Sequence, residues 1–132
     1  MTSVIIPNSV KSIGHGVFRG NNSLKSVIIG NSVSSIEEET FFGCDSLESV
    51  KISSSVIKIG PWAFRGCVSL TQIVIPTSVT SIEGYAFSGC TSLKICCKAT
   101  RKPSGWSELW NKHWNDVTGD SNYIPVQWGY RW

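Results

Sequence analysis

Hydrophobic positions in this chain return every 23 residues. Four triplets, Val4-Ile5-Ile6, Val27-Ile28-Ile29, Val50-Lys51-Ile52 and Ile73-Val74-Ile75, read as strands with side chains alternating between two faces. Their first and third columns hold only Val or Ile, so those columns are predicted to face a core. The middle column, Ile5, Ile28, Lys51 and Val74, must then face outward. A turn follows, as in Pro7-Asn8-Ser9 and Pro76-Thr77-Ser78. Next comes a second short extended stretch, with inward pairs Val10 and Ile13, Val33 and Ile36, Val56 and Ile59, and Val79 and Ile82. A compact segment then carries Phe18, Phe41, Phe64 or Phe87 inward and ends at Gly20, Gly43, Gly66 or Gly89. Leu24, Leu47, Leu70 and Leu93 close the four copies.

A fixed period in this range marks a solenoid, in which each repeat is one coil stacked on the last. The repeats run 3–25, 26–48, 49–71 and 72–94, and a tail occupies 95–132. Equivalent strands are expected to pair in parallel at a spacing of ~4.8 Å, with each Phe stacked on the Phe of the next coil. No coil buries its apolar side alone, so neighbours supply the core. A stack of coils presents a long regular surface and few deep clefts, which suits binding better than catalysis.

The tail carries the strongest signal outside the repeats. Trp106, Trp110 and Trp114 are spaced to share one face of a helix, and Pro103-Ser104-Gly105 forms an entry turn before them. Residues 95–132 are therefore expected to be a Trp-rich C-terminal cap with a short helix over the apolar end of the fourth coil. The rival reading makes Trp106, Trp110 and Trp114 an aromatic platform for a sugar or a partner.

At this point the residues resemble a known family. Segments such as SVIIPNSVKSIGHGVFRGNNSLK and QIVIPTSVTSIEGYAFSGCTSLK are similar to BspA-type leucine-rich repeats. The tail, KATRKPSGWSELWNKHWND through YIPVQWGY, resembles the segment that closes such arrays in bacterial proteins. The resemblance implies an α/β solenoid: a right-handed leucine-rich-repeat coil with a parallel β-sheet face. It also implies an extracellular or cell-surface setting, with adhesion or protein binding as the usual role. Two departures stand out. Glu37-Glu38-Glu39 replaces a Gly-rich turn in the second repeat, and Ile95 follows Leu93 one residue sooner than Val27 follows Leu24. The second departure leaves open whether 95–98 pairs as a regular fifth strand.

Composition narrows the function. The net charge of +3 and the absence of a basic patch interleaved with aromatics within the repeats argue against nucleic acid. Lys94, Lys98, Arg101, Lys102 and Lys112 make the tail locally basic, and a solvated segment is the plain account. No run of 18 apolar residues exists, so no transmembrane helix is encoded and membrane insertion is not expected. Met1 and Thr2 run directly into the first strand pattern with no polar cap before it. The chain is therefore expected to be the C-terminal piece of a longer protein or one cut at a repeat boundary. Its open first coil then invites self-association.

The chemistry-bearing residues do not assemble a catalytic set. Cys44, Cys67 and Cys90 share one repeat position, where Asn21 stands in the first copy, and form a buried column rather than a metal site. Cys96 and Cys97 alternate between faces, so one thiol is expected to be exposed. His15 and His113 have no phased Ser, Cys or Asp partner. The run at Glu37 lacks the spaced oxygens of a calcium loop. No catalytic residue, metal or cofactor is assigned. The candidate binding surface is the sheet face: Ile5, Ile28, Lys51 and Val74, flanked by Lys25, Glu48 and Thr71. The expectation is a non-enzymatic module that holds a protein or glycan ligand there. Two alternatives remain: a structural spacer that extends or caps a longer array, and a minor enzymatic or thiol role through Cys96 or Cys97 or attachment to a catalytic domain upstream.

Overall fold

The computed structural model describes residues 2–113 and 123–131. It shows a parallel β-solenoid of about four coils. Strands β1 (Ser3–Ile5), β2 (Ser26–Ile28) and β4 (Ser49–Lys51) form one sheet, paired in parallel with Val4 beside Val27 and Val27 beside Val50. On a second face, β3 (Ser35–Ile36), β5 (Lys58–Ile59) and β7 (Ser81–Ile82) pair in the same way, and the first coil joins them only through a bridge from Ile13 to Ile36. A third sheet holds β6 (Gln72–Ile75), β8 (Lys94–Cys97) and β9 (Val126–Trp128). The expected strands are present in phase with two exceptions: the second stretch of the first coil is reduced to the Ile13 bridge, and β4 does not pair with β6, so the expected continuous sheet is broken between the third and fourth coils.

No helix occurs among the described residues, so the architecture is all β and turn rather than α/β. The tail helix expected over Trp106–Trp114 is replaced by turns through His113, and Trp114 lies outside the described residues. The reason is competition for backbone groups. Ser107 N–H donates to Ile82 O at 2.8 Å, and Leu109 O accepts from Tyr85 N–H at 2.9 Å. Ser107 N–H is thus taken by the fourth coil, and Leu109 O is shared between that coil and a tight turn to Lys112 N–H, so the bonds fix separate turns in place of a continuous helix. The short step after Leu93 is absorbed: β8 pairs with β6 in parallel, Gln72 beside Lys94 through Ile75 beside Cys97, at an offset one residue shorter than in the repeats.

The core is a set of columns. Phe18 to Phe41, Phe41 to Phe64, and Phe64 to Phe87 stack at 5.4, 5.2 and 5.2 Å, with their planes nearly parallel. Phe41, Phe64 and Phe87 are fully buried, whereas Phe18 at the open end is half-buried. Phe18 N–H donates to Thr40 O, Phe41 N–H to Ala63 O and Phe64 N–H to Ala86 O, so the backbone clamps each ring onto the next coil. The glycines ending these segments have φ of 72–79°. That left-handed conformation is open to glycine at little cost. A Cβ at Gly89 would also lie 3.3 Å from Gly66 N.

Candidate functional site: the sheet face

The outward strand column falls where strand alternation requires. Ile5 is 71% exposed and Ile28 45%, while Lys51 is exposed and Val74 half-buried. These residues line a groove of about 1000 Å³ that crosses the coils. Glu48 and Thr71 line it as well, so six of the seven sheet-face candidates meet in one concavity. Lys25 is exposed on the flanking column but is not among the lining residues. The floor is discontinuous: β4 and β6 belong to separate sheets with no ladder between them. The groove spans that seam, with Lys51 on one side and Val74 on the other.

The tail tryptophans do not form an open platform. Trp106 and Trp110 are each 3% exposed and belong to the core with the half-buried Trp128. Trp106 meets Trp110 edge-on at 4.7 Å and its Nε1–H donates to Val79 O at 3.0 Å. A ring enclosed in this way has no face left for a sugar. Trp114, the third member of that reading, lies outside the described residues.

The thiols are also enclosed. The Sγ of Cys44, Cys67 and Cys90 donate to the carbonyls of Phe18, Phe41 and Phe64 at 3.1, 3.3 and 3.0 Å, each reaching back one coil. These cysteines are structural donors as well as small apolar fillers. Burial raises the Cys44 pKa. The hydrogen bond with Cys90 and then burial push Cys67 far above the ordinary thiol range. The expected exposed thiol at 96 or 97 is absent: both residues are buried and free of disulfides. Alternation does put them on opposite faces, but Cys96 is 1% exposed although it shares the outward column with Val74. Burial pushes Cys97 up to about 12, which leaves almost no thiolate to act as a nucleophile.

Two features went unread in the sequence. The first is a lateral ladder of rings and guanidiniums. Arg19 lies over the Phe42 ring at 4.6 Å, Arg65 lies 5.2 Å from Phe42 and 5.0 Å from Trp62, and Trp62 stacks on Tyr85 at 5.0 Å. Its signal was the same period, since Arg19, Phe42 and Arg65 share one phase, as do Glu39, Trp62 and Tyr85. Glu39, Trp62 and Tyr85 all sit at φ near 60°, a conformation that costs a non-glycine residue about 1–2 kcal/mol. Glu39 also accepts from Arg19, and contacts His15, both at 3.1 Å, so the acidic run is tied to the first coil. The second feature is His113. Gly20, Gly43 and Gly66 each donate N–H to a carbonyl one coil on, at Phe42, Arg65 and Ser88. Gly89 donates instead to His113 Nδ1 at 2.9 Å. The imidazole replaces a missing carbonyl, and no sequence motif encodes that exchange.

A regular β-solenoid with Val, Ile and Leu columns and one open sheet face defines a leucine-rich-repeat protein. This chain belongs to the BspA-type family: the model described as BspA type Leucine rich repeat region (6 copies) matches residues 1–100. No curated protein matches it. Among solved structures it is similar to a leucine rich cell surface protein from Faecalibacterium prausnitzii A2-165, with 36% identity and a TM-score of 0.70 over 89% of this chain and 30% of that one. It is also similar to the T. pallidum leucine-rich repeat protein TpLRR, with 29% identity and a TM-score of 0.71 over 81% of this chain and 50% of that one. A leucine-rich repeat protein from Bacteroides ovatus ATCC 8483 is 32% identical, with a TM-score of 0.57 over 80% of this chain and 32% of that one. The chain thus spans a third to a half of the length of these relatives.

Proposed function

We propose that this chain is a non-enzymatic binding module of a bacterial surface or secreted protein, with a protein or glycan ligand held on the sheet face. The observation that carries this reading is the groove of about 1000 Å³ in which Ile5, Ile28, Glu48, Lys51, Thr71 and Val74 come together. Exposed β-branched side chains gathered in one concavity are a feature of interaction surfaces, whereas singly scattered ones are ordinary. The relative from F. prausnitzii, described as a cell surface protein, supports the location. Self-association through the first coil, where Phe18 is half-buried, belongs to the same reading.

The second reading makes the chain a structural spacer that extends or caps a longer repeat array. The burial of Trp106 and Trp110 against the core and the bond from Gly89 to His113 favour it. The two readings are compatible, because the tail closes the stack while the sheet face stays open. Ile28→Ser with Lys51→Ala tests the first. Both side chains are exposed, so the fold should survive, as judged by circular dichroism. Binding to host-surface protein and glycan arrays should drop. Array binding unchanged by this pair would move the function away from the sheet face.

A further inference from the structure

The sheet face is bonded across every junction between coils but one. From the first coil to the second, Lys25 and Ser26 N–H donate to Thr2 O, and Ile6 N–H donates to Ile28 O. From the second to the third, Glu48 and Ser49 N–H donate to Lys25 O, and Ile29 N–H donates to Lys51 O. Between the third and the fourth, the corresponding bonds from Thr71, Gln72 and Ile52 are missing among the described residues, and β4 and β6 share no ladder. Beyond the fourth coil the bonds resume, with Lys94 N–H on Thr71 O and Lys98 N–H on Ile75 O. The core columns register the gap: Val50 is 7% and Ile52 9% exposed, against 1% and 3% for Val27 and Ile29. Away from the sheet face the same junction is closed. Ser81 N–H donates to Ile57 O, Phe64 N–H to Ala86 O and Gly66 N–H to Ser88 O. The third and fourth coils thus part as a wedge that opens into the groove, and Val50, Ile52, Gln72 and Val74 all line it.

We propose that this seam takes an extended strand of a partner protein, which pairs its main chain with β4 on one side and β6 on the other. The proposal rests on the sheet-face reading and names its ligand. In a strand, main-chain groups of successive residues point to opposite edges. Ser49 and Lys51 are bonded toward β2, so the N–H and C=O groups of Val50 and Ile52 point at the seam. Thr71 and Ile75 are bonded toward β8, so those of Gln72 and Val74 point at it from the other side. Each edge therefore offers a donor and an acceptor at every second residue. That is the spacing of a polypeptide backbone, which carries one of each per residue; a sugar chain does not repeat it. An inserted strand must part β4 and β6 to ~9.6 Å, two ladder spacings. Elsewhere on the sheet face that would break a ladder. Here no ladder stands in the way, and the bonds on the other faces of the junction serve as the hinge. The slot is as long as β6, Gln72–Ile75, so about four extended residues fill it. Side chains on its core side cover Val50 and Ile52 and are therefore apolar. On its outer side Glu48 and Lys51 line the groove, and among the described residues neither forms an ion pair. The incoming strand accordingly carries a base for Glu48 and an acid for Lys51.

The test is selection of a displayed library of random peptides on the chain, followed by N-methylation of each backbone amide of the selected peptide in turn. Affinity is read by fluorescence anisotropy, and the chain's own amides by hydrogen exchange in NMR spectra. In the free chain the Ile52 and Gln72 amides should exchange faster than their bonded equivalents, Ile29 and Ser49, and should slow when the peptide binds. N-methylation within the paired stretch should weaken binding about ten-fold at each position. Ile52 and Gln72 amides that exchange as slowly as Ile29 and Ser49 in the free chain would show a closed seam and overturn the proposal. A selected peptide that tolerates N-methylation throughout, yet weakens on Ile28→Ser with Lys51→Ala, would overturn strand pairing and leave the sheet-face reading standing. A peptide indifferent both to N-methylation and to that pair would overturn strand pairing and count against the sheet face as well. No enrichment over an unrelated protein would overturn the peptide ligand.

Discussion

Replacing Phe64 by Ala tests whether the ring column is the spine of the stack. The ring is fully buried and stacked on both sides, at 5.2 Å from Phe41 and 5.2 Å from Phe87. Truncating such a residue costs about 3–5 kcal/mol in lost burial and residual cavity. Phe64→Leu keeps most of the apolar volume but removes two ring pairs, each worth about 0.5–1.5 kcal/mol, so it should cost less. Phe18→Ala is the internal control: that ring is half-buried and has one partner, at 5.4 Å. The assay is urea unfolding followed by tryptophan fluorescence and circular dichroism. A loss of about 4 kcal/mol lowers the melting temperature by roughly 10–20 °C in a domain of this size. Coils touch only their neighbours, so weakening the third should also uncouple the two halves and lower the slope of the transition. Equal costs for Phe18→Ala and Phe64→Ala, or a cost below about 1 kcal/mol for Phe64→Ala, would refute the argument that mutual burial of rings holds the coils together.

The remaining predictions concern the thiols and the tail. Native labelling with a small alkylating reagent should miss all five cysteines, since each is buried; rapid modification of Cys96 or Cys97 would revive a thiol role. The Cys97 pKa is raised from 9.0 to about 12, so above pH 9 the unfolded chain loses a proton that the folded chain keeps. Stability should therefore fall as pH rises from 9 toward 12, by up to about 1.4 kcal/mol per unit for this group. Cys97→Ala should flatten that slope in urea titrations. Trp110→Ala should cost about 3–5 kcal/mol, and His113→Ala about 1 kcal/mol by orphaning Gly89 N–H. A tail variant that melts like wild type would show that the tail does not close the stack.

The stack was legible in the sequence because a solenoid turns sequence offset into spatial contact. Residues 23 apart are neighbours, so the Phe, Leu, Ile and Cys columns and the outward row at Ile5, Ile28, Lys51 and Val74 followed from counting. The same arithmetic held the ring-and-guanidinium ladder of Arg19, Phe42, Arg65 and Trp62, which went unread because its members differ in kind. Beyond Leu93 the period stops, and offset no longer reports contact. Helical spacing of Trp106, Trp110 and Trp114 was a local signal, yet the fourth coil offered the tail its own hydrogen-bond partners and buried Trp106 and Trp110 in turns. Tertiary packing alone placed His113 where a carbonyl would have been and buried Cys96 on the outward column. Each of these depends on where a non-repeating segment docks, and docking is a balance of many contacts that no single interval in the chain encodes.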